Sequence, residues 1–446
     1  MLYSQLSDRP AFAGTLQDIE ERRYQLWLKA ISAVVIATLT FNFLLAVFNT
    51  NLIGISESHV ILTELALIGC ALLLAMSRNP ALYVILALYL SYMAFILALR
   101  PELDLKAIRD FLIPIIFYFI GRKFQRIEDA DRLVWTCTFI VLAIGFFEFL
   151  FLDLYTQAVD IFGYYVARGT LEIDDNFIEG SNLFVSSTRV GGRNFFDFLG
   201  QIRASSVFLE PVTMGNFGAF LCLWALFRKG MHHRILLLVL AFVVIVLADA
   251  RFGMFVCFFL FVAAGAAYLV PRFLWWCLPP LIVFALAVFG GLFPDLPWAD
   301  NFIGRLIHAS HLQQLITLDA LFGLRPDVPF LADNGFAYSI VKCGIIGLLA
   351  LWTLFVFAPS NSQQALHFKA LAVVYISLLM TVSNSFYSIK LAALFWVAAG
   401  AADIMKSSTT ITRRQDAAAK PTASNHDTRS FWSTREQNRQ SLRARV

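Results

Sequence analysis

The chain has 446 residues and a net charge of +4, with 15% charged residues against 59% hydrophobic ones and a mean hydropathy of +0.69. A soluble protein of this size carries nearer a quarter charged residues, and 44 phenylalanines with 9 tryptophans suit lipid-facing helices better than a globular core. The composition excludes a string of soluble domains and points to an all-α polytopic membrane protein.

Residues 1–29 show no cleavable signal and contain the charged stretch "LQDIEERRYQLWLK" (16–29). This reads as a cytoplasmic amphipathic segment lying in the interface. Twelve apolar runs follow, at 30–48, 59–76, 81–98, 108–121, 133–153, 209–227, 235–250, 252–270, 273–293, 336–357, 369–384 and 387–404. Each is compared with the roughly 17 to 25 residues that a crossing helix needs, so about 12 transmembrane helices are expected over 30–404. The Lys/Arg bias places Arg78, "GRKFQRIEDADR" (121–132), "RKGMHHR" (228–234), Arg272 and Lys369 in the cytoplasm. Two large loops, 154–204 and 294–335, then face outward, and their acids outnumber their bases. Loop 99–109, with Arg100, Lys106 and Arg109, breaks that trend. The tail 405–446 holds nine Lys/Arg and three acids and is expected to be disordered, lying against anionic headgroups.

All six cysteines (70, 137, 222, 257, 277 and 343) lie in apolar runs, as packing residues rather than disulfides or ligands. There is no GxxxxGK[ST] and no GxGxxG between strand and helix, which argues against a nucleotide-driven pump; nothing calls for nucleic acid. Asp174–Asp175 reads as a solvated pair. His308 and His311 lack an obvious third ligand, so neither a metal nor a cofactor is expected.

Ionisable residues near spans are costly and usually face a cavity or one another. Glu64, Glu148, Arg203, Glu210, Arg251 and Lys390 all fall toward outer ends, with no similar set expected at inner ends. Together they suggest a polar, partly cationic cavity opening outward. Guanidinium groups at that depth suit the oxyanions of a lipid diphosphate.

Three stretches carry a resemblance: "RASSVFLEPVTMGNFGAF" from Arg203, "LADARFGMFVCFFLFV" from Leu247, and "LDALFGLRPDVPFLADNGFAYSIVKCGIIGLLALW" from Leu318. In order and spacing they resemble the Wzy-type polysaccharide polymerases, in a superfamily shared with the O-antigen ligases. Asp333–Asn334 stands where the ligases have His-Asn, a departure toward the exopolysaccharide polymerases. An Arg-x10-Gly spacing fits Arg189 to Gly200 and falls one residue short from Arg325 to Gly335.

The resemblance implies a GT-C-like fold and a metal-independent membrane glycosyltransferase of the bacterial inner membrane. It would polymerise undecaprenyl-diphosphate-linked oligosaccharide repeat units into a long-chain surface polysaccharide at the periplasmic face. A flippase, a chain-length co-polymerase and membrane lipids are the implied partners. Arg203 and Arg251, followed by Arg305, Arg325 and Lys390, are expected to hold the diphosphate. Glu210 and Asp333, with His311 and His308 behind them, are candidates to take the acceptor proton. The alternatives are an O-antigen ligase and a lipid-linked oligosaccharide flippase.

Overall fold

The computed structural model describes residues 10–405, apart from 102–103, 177, 179, 189–192, 194–196, 297–301, 326–330 and 361. Residues 1–9, Arg189 and the basic tail from Lys406 onward therefore lie outside the described residues. Among the described residues every regular element is helical. In chain order these are α1 (Pro10–Asn51), α2 (Glu57–Ala75), α3 (Pro80–Leu99), α4 (Leu105–Gly121), α5 (Ile127–Leu150), the short α6 (Leu152–Ala158) and α7 (Ile161–Ala167), α8 (Pro211–Phe227) and α9 (Arg234–Leu247). There follow α10 (Arg251–Ala266), α11 (Arg272–Leu292), α12 (Phe302–Gln314), α13 (Leu318–Leu321), α14 (Gly335–Phe357), α15 (Gln363–Val382) and α16 (Ile389–Asp403).

Each of the twelve apolar runs falls on one of these helices, and the protein is a multi-pass membrane protein by length and composition. Seven helices are long and apolar enough to cross: α1 (from Gln17), α2, α3, α5, α11, α14 and α15. The remaining five runs form shorter helices than these seven, although α4 exceeds the short run 108–121 that it contains. α4, α8, α9, α10 and α16 have 17, 17, 14, 16 and 15 residues. Such lengths cover about 21–26 Å of a hydrocarbon core of roughly 30 Å. The cause is local. Asp249, at φ +46°, ends α9 in a tight turn, and Leu209, at φ +63°, delays the start of α8. A second difference lies at the N-terminus. The interfacial segment and the first apolar run form one continuous helix of 42 residues, because no Gly or Pro separates them at Lys29–Ala30.

The centre is formed by α8, α15 and α16, the last buried along its whole length. Of the crossing window of α15, 89% is buried, against 11% for α11, which makes α11 peripheral. Rings of Phe220, Trp224, Phe368, Tyr375 and Phe395 interleave at 5.4–6.4 Å between these central helices. α4 and α16 cross backbone to backbone: a Cβ on Gly121 would sit 2.0 Å from the Val397 carbonyl, and one on Gly400 equally close to that of Tyr118. Small residues allow this approach, and in lipid, where helices gain no hydrophobic drive to associate, it brings the close packing that holds them.

Polar contacts sort the helix ends into two groups. At one end Tyr24 donates to Asp129, Arg126 pairs with Glu21, Arg228 grips Asp131 with Nη2–Oδ2 at 2.6 Å, and Lys369 pairs with Asp403 at 3.1 Å. These are the segments that the charge bias assigns to the cytoplasm. At the other end lie Glu64, Arg109, Glu210 and Lys390. The end that the charge bias assigns to the cytoplasm is therefore not poor in charge, contrary to the sequence expectation; its buried acids and bases are paired with one another.

Candidate functional site

The segment 203–210 is held by side chains from distant parts of the chain. The Glu148 carboxylate accepts the backbone amides of Ser205 (2.8 Å) and Ser206 (2.6 Å), and the Ser206 hydroxyl donates to the Val141 carbonyl (2.6 Å). Ser206 and Leu209 both have positive φ, at 51° and 63°. Non-glycine residues hold this conformation only where their surroundings impose it. The result is a short 3-10 turn, Ser206–Phe208, that delivers Glu210 as the N-cap of α8.

Glu210 and Lys390 meet there. The Lys390 ammonium, almost fully buried at the start of α16, lies 3.5 Å from Glu210 Oε1 and donates to the Phe208 carbonyl at 2.9 Å. Glu210 also accepts the phenol of Tyr165 and the hydroxyl of Thr213 (3.0 Å), yet keeps 30% of its side chain exposed. It is thus oriented by three partners and still reachable. Arg168, just after α7, lies over the rings of Tyr165 (5.0 Å) and Tyr164 (5.7 Å). Burial first, and then the neighbouring Glu210 carboxylate, hold the Tyr165 phenol well above its ordinary pKa, so it stays a donor. Burial opposes the charge of Arg168, but Tyr165, Tyr164 and Glu210 outweigh it, and the guanidinium pKa is raised.

A second group adjoins the first. Glu64 of α2 pairs with Arg109 of α4, which also binds Asp110 at 2.7 Å, and Asp110 accepts the phenol of Tyr338 from α14. The charges of Arg168 and Lys390 both act on Glu64, so the two groups share one electrostatic neighbourhood. Its six ionisable members, Glu64, Arg109, Asp110, Arg168, Glu210 and Lys390, comprise three acids and three bases. Three of these six, Glu64, Glu210 and Lys390, belong to the set expected from the sequence, and the group as a whole is closer to charge balance than to a cationic cavity.

Two of the three bases of loop 99–109, Arg100 and Arg109, have buried partners. α14 is broken at Gly344 (φ +70°, ψ 158°), which frees carbonyls from the helix ladder. Arg100 donates to the carbonyls of Gly323 (2.6 Å), Val341 (3.1 Å) and Lys342 (2.8 Å), and the Tyr92 hydroxyl donates to that of Cys343 (2.8 Å).

The other sequence candidates are placed as follows. Arg203 is buried and directs Nε at the Ala248 carbonyl (3.0 Å), Nη1 at Ser186 (3.0 Å) and Nη2 at Asp249 (3.5 Å). With Arg193, which binds the carbonyls of Val246, Leu247 and Ile202, it caps the end of α9. Arg251 is half-buried at the first position of α10, beside the early turns of α8, where Gly215 meets Ala250. Asp333 is exposed and lies 3.4 Å from His308 on α12. Arg305 and His311 flank His308 on that helix, each half-buried, and Arg325 is exposed. Asp174 and Asp175 are exposed in a 3-10 turn. Among the described residues no three His, Cys, Asp or Glu side chains converge as a metal site.

Sequence reasoning missed Arg168 and Tyr165, although "GYYVAR" sets a base beside two tyrosines in the large loop 154–204. It noticed Arg109 only as an exception to the charge bias, and that exception was the available signal. No family model, curated protein or solved structure matches the chain.

Proposed function

We propose that the protein polymerises undecaprenyl-diphosphate-linked oligosaccharide repeat units at the periplasmic face of the bacterial inner membrane, without metal or cofactor. The observation that carries this reading is the meeting of the Glu210 carboxylate, the Lys390 ammonium and the Arg168 guanidinium at the outer helix ends. Twelve crossings complete the reading: the five short apolar helices cross where the polar groups at their ends thin the hydrocarbon they must span.

In the proposed reaction the acceptor sugar hydroxyl attacks the anomeric carbon of the growing glycan. A new carbon–oxygen bond forms, the bond from that carbon to the diphosphate oxygen breaks, and undecaprenyl diphosphate leaves with the electron pair. The acceptor proton passes to Glu210, whose position is held by Tyr165 and Thr213. Lys390, Arg168 and Arg251 supply the positive charge that meets the departing diphosphate. Arg203 then acts by holding the 203–210 segment and the α9–α10 turn in place. Asp333, His308 and His311, with Arg305 and Arg325, serve at the second outer loop, where the incoming unit docks. A flippase supplies that unit, and a chain-length co-polymerase sets the product size.

Deletion of the protein followed by analysis of the lipid-linked sugars tests the reading. The expected outcome is single repeat units displayed on the outer side. Long polymer stranded on undecaprenyl diphosphate would instead indicate a ligase, and single units trapped inside a flippase. Purified protein should extend lipid-linked units with neither nucleotide nor divalent metal added.

A further inference from the structure

An apolar cavity runs along α4 from Arg122, at the basic helix ends, up to Phe111 and Tyr387. It encloses about 400 Å³ between α3 and α4 on one side and α14, α15 and α16 on the other, with Ile85, Pro114, Leu351, Met380 and Trp396 among its walls. Its shape follows from one crossing. α3 and α14 touch near Gly344, where the Tyr92 hydroxyl binds the Cys343 carbonyl and the Gly347 amide. Toward the other end the two helices part, and Ala81 and Ile85 face Leu348, Leu351 and Leu354 across the gap. Leu354 is 49% exposed, so the cavity opens sideways, toward lipid.

The far end is closed and apolar. The Tyr387 ring packs on Phe111 at 4.8 Å, and its hydroxyl is engaged by Ser339 at 2.6 Å. The near end is polar and basic. Arg122 and Asn79 line it, and Arg78 is exposed beside Asn79. The Arg122 guanidinium rests over the Tyr118 ring at 6.0 Å. The carboxylate close by, Asp403, accepts the Tyr118 phenol (2.6 Å) and pairs with Lys369 (3.1 Å), so this end carries two bases, Arg122 and Lys369, to one acid. From Phe111 to Arg122 the wall formed by α4 is about 16 Å long, most of the length of that helix and enough for the greater part of one acyl chain.

We propose that this cavity holds one acyl chain of an anionic glycerophospholipid from the leaflet on the basic side, its phosphate held by Arg122 and its chain running up to Tyr387. A slot open to lipid, apolar along its length and cationic only at its mouth fits an anionic headgroup with a single chain. A longer polyprenyl diphosphate would need its charge at the opposite face. The inference rests on the membrane character of the protein and is independent of the polymerase reading, because its test reads bound lipid alone.

The test is native mass spectrometry of the full-length protein in mild detergent, titrated with dipalmitoyl phosphatidylglycerol and, separately, dipalmitoyl phosphatidylcholine. One phosphatidylglycerol should remain bound per chain and phosphatidylcholine should bind more weakly. Arg122→Gln should lower phosphatidylglycerol affinity about tenfold, the loss of one charge-assisted contact, and leave phosphatidylcholine unchanged. Leu351→Trp, which fills the slot, should reduce both. Retained monodispersity and melting temperature in the lipid-free variants separates loss of binding from misfolding. Equal affinity for the two lipids, unchanged binding by Leu351→Trp, or a co-purified polyprenyl phosphate that Leu351→Trp alone displaces would each overturn the proposal.

Discussion

Replacing Lys390 by methionine asks how tightly the Glu210 site is built into the fold. The ammonium is 6% exposed and faces both Glu210 Oε1 at 3.5 Å and the Phe208 carbonyl at 2.9 Å. Removing one member of a buried ion pair typically costs about 3–5 kcal/mol, because the other charge is left uncompensated. Here Glu210 keeps two neutral donors, Tyr165 and Thr213, and 30% of its side chain reaches solvent. The cost should therefore fall lower, at about 2–3 kcal/mol. Glu210→Gln alone should cost at least as much, since it orphans the more deeply buried Lys390 ammonium, which then keeps only the Phe208 carbonyl as a partner. In the double variant the orphaned charge is gone, and stability should recover by about 2 kcal/mol relative to the sum of the single changes. Reversible unfolding of the purified protein in detergent, run as a double-mutant cycle, measures this coupling. Polymer synthesis read in parallel should stay absent in the double variant although its stability has returned, because both functional groups are missing. Strictly additive costs, or a Lys390→Met protein as stable as the parent, would refute the claim that these two charges depend on each other.

Arg203→Ala should lower stability and membrane yield by about 2–4 kcal/mol equivalent, because three carbonyls at 3.0–3.5 Å lose their donor; Arg203→Lys should restore only part of this, as read by thermal melting. At Asp104, burial raises the carboxyl pKa, but the hydrogen bond and charge of Lys342, the Ala107 amide and Arg100 outweigh it, and the pKa is depressed. Its stabilising contribution is therefore complete above the unfolded-state value and is lost as pH falls through the lower folded-state value. Asp104→Asn should accordingly show a smaller loss of stability than the parent when pH is lowered below about 4 in detergent unfolding. Reporter fusions after residues 180 and 320 should read as extracytoplasmic, and fusions after 125, 231 and 410 as cytoplasmic; both large loops reading as cytoplasmic would place Glu210 and Lys390 on the wrong side for a periplasmic donor.

The helical elements were legible in the sequence because transfer to lipid is a residue-by-residue property. A run such as 273–293 is apolar whatever surrounds it, and it became α11, exposed along most of its length. The sorting of charged turns to opposite ends was legible for the same reason. Helix length was less so. Asp249 and Leu209 shorten their helices through backbone conformations that hydropathy does not record. The apparent anomaly of loop 99–109 disappeared only when Arg100 was seen beside a break in α14 that lies more than 200 residues away.

What the sequence by itself determined is which segments enter lipid and which residues are too polar to do so without a partner. Which partner each one takes was decided by the tertiary structure alone. Glu210 and Lys390 are 180 positions apart, and Tyr338 and Asp110 are 228 apart. No local pattern connects residues so far apart. They meet because α4 and α16 cross at Gly121 and Gly400, and because α8, α15 and α16 pack into one buried centre. In a low-dielectric interior an ionised side chain is stable only beside its counter-charge or a ring of dipoles. Burial therefore requires that such a group be paired, and the packing of helices against one another selects the group that pairs with it.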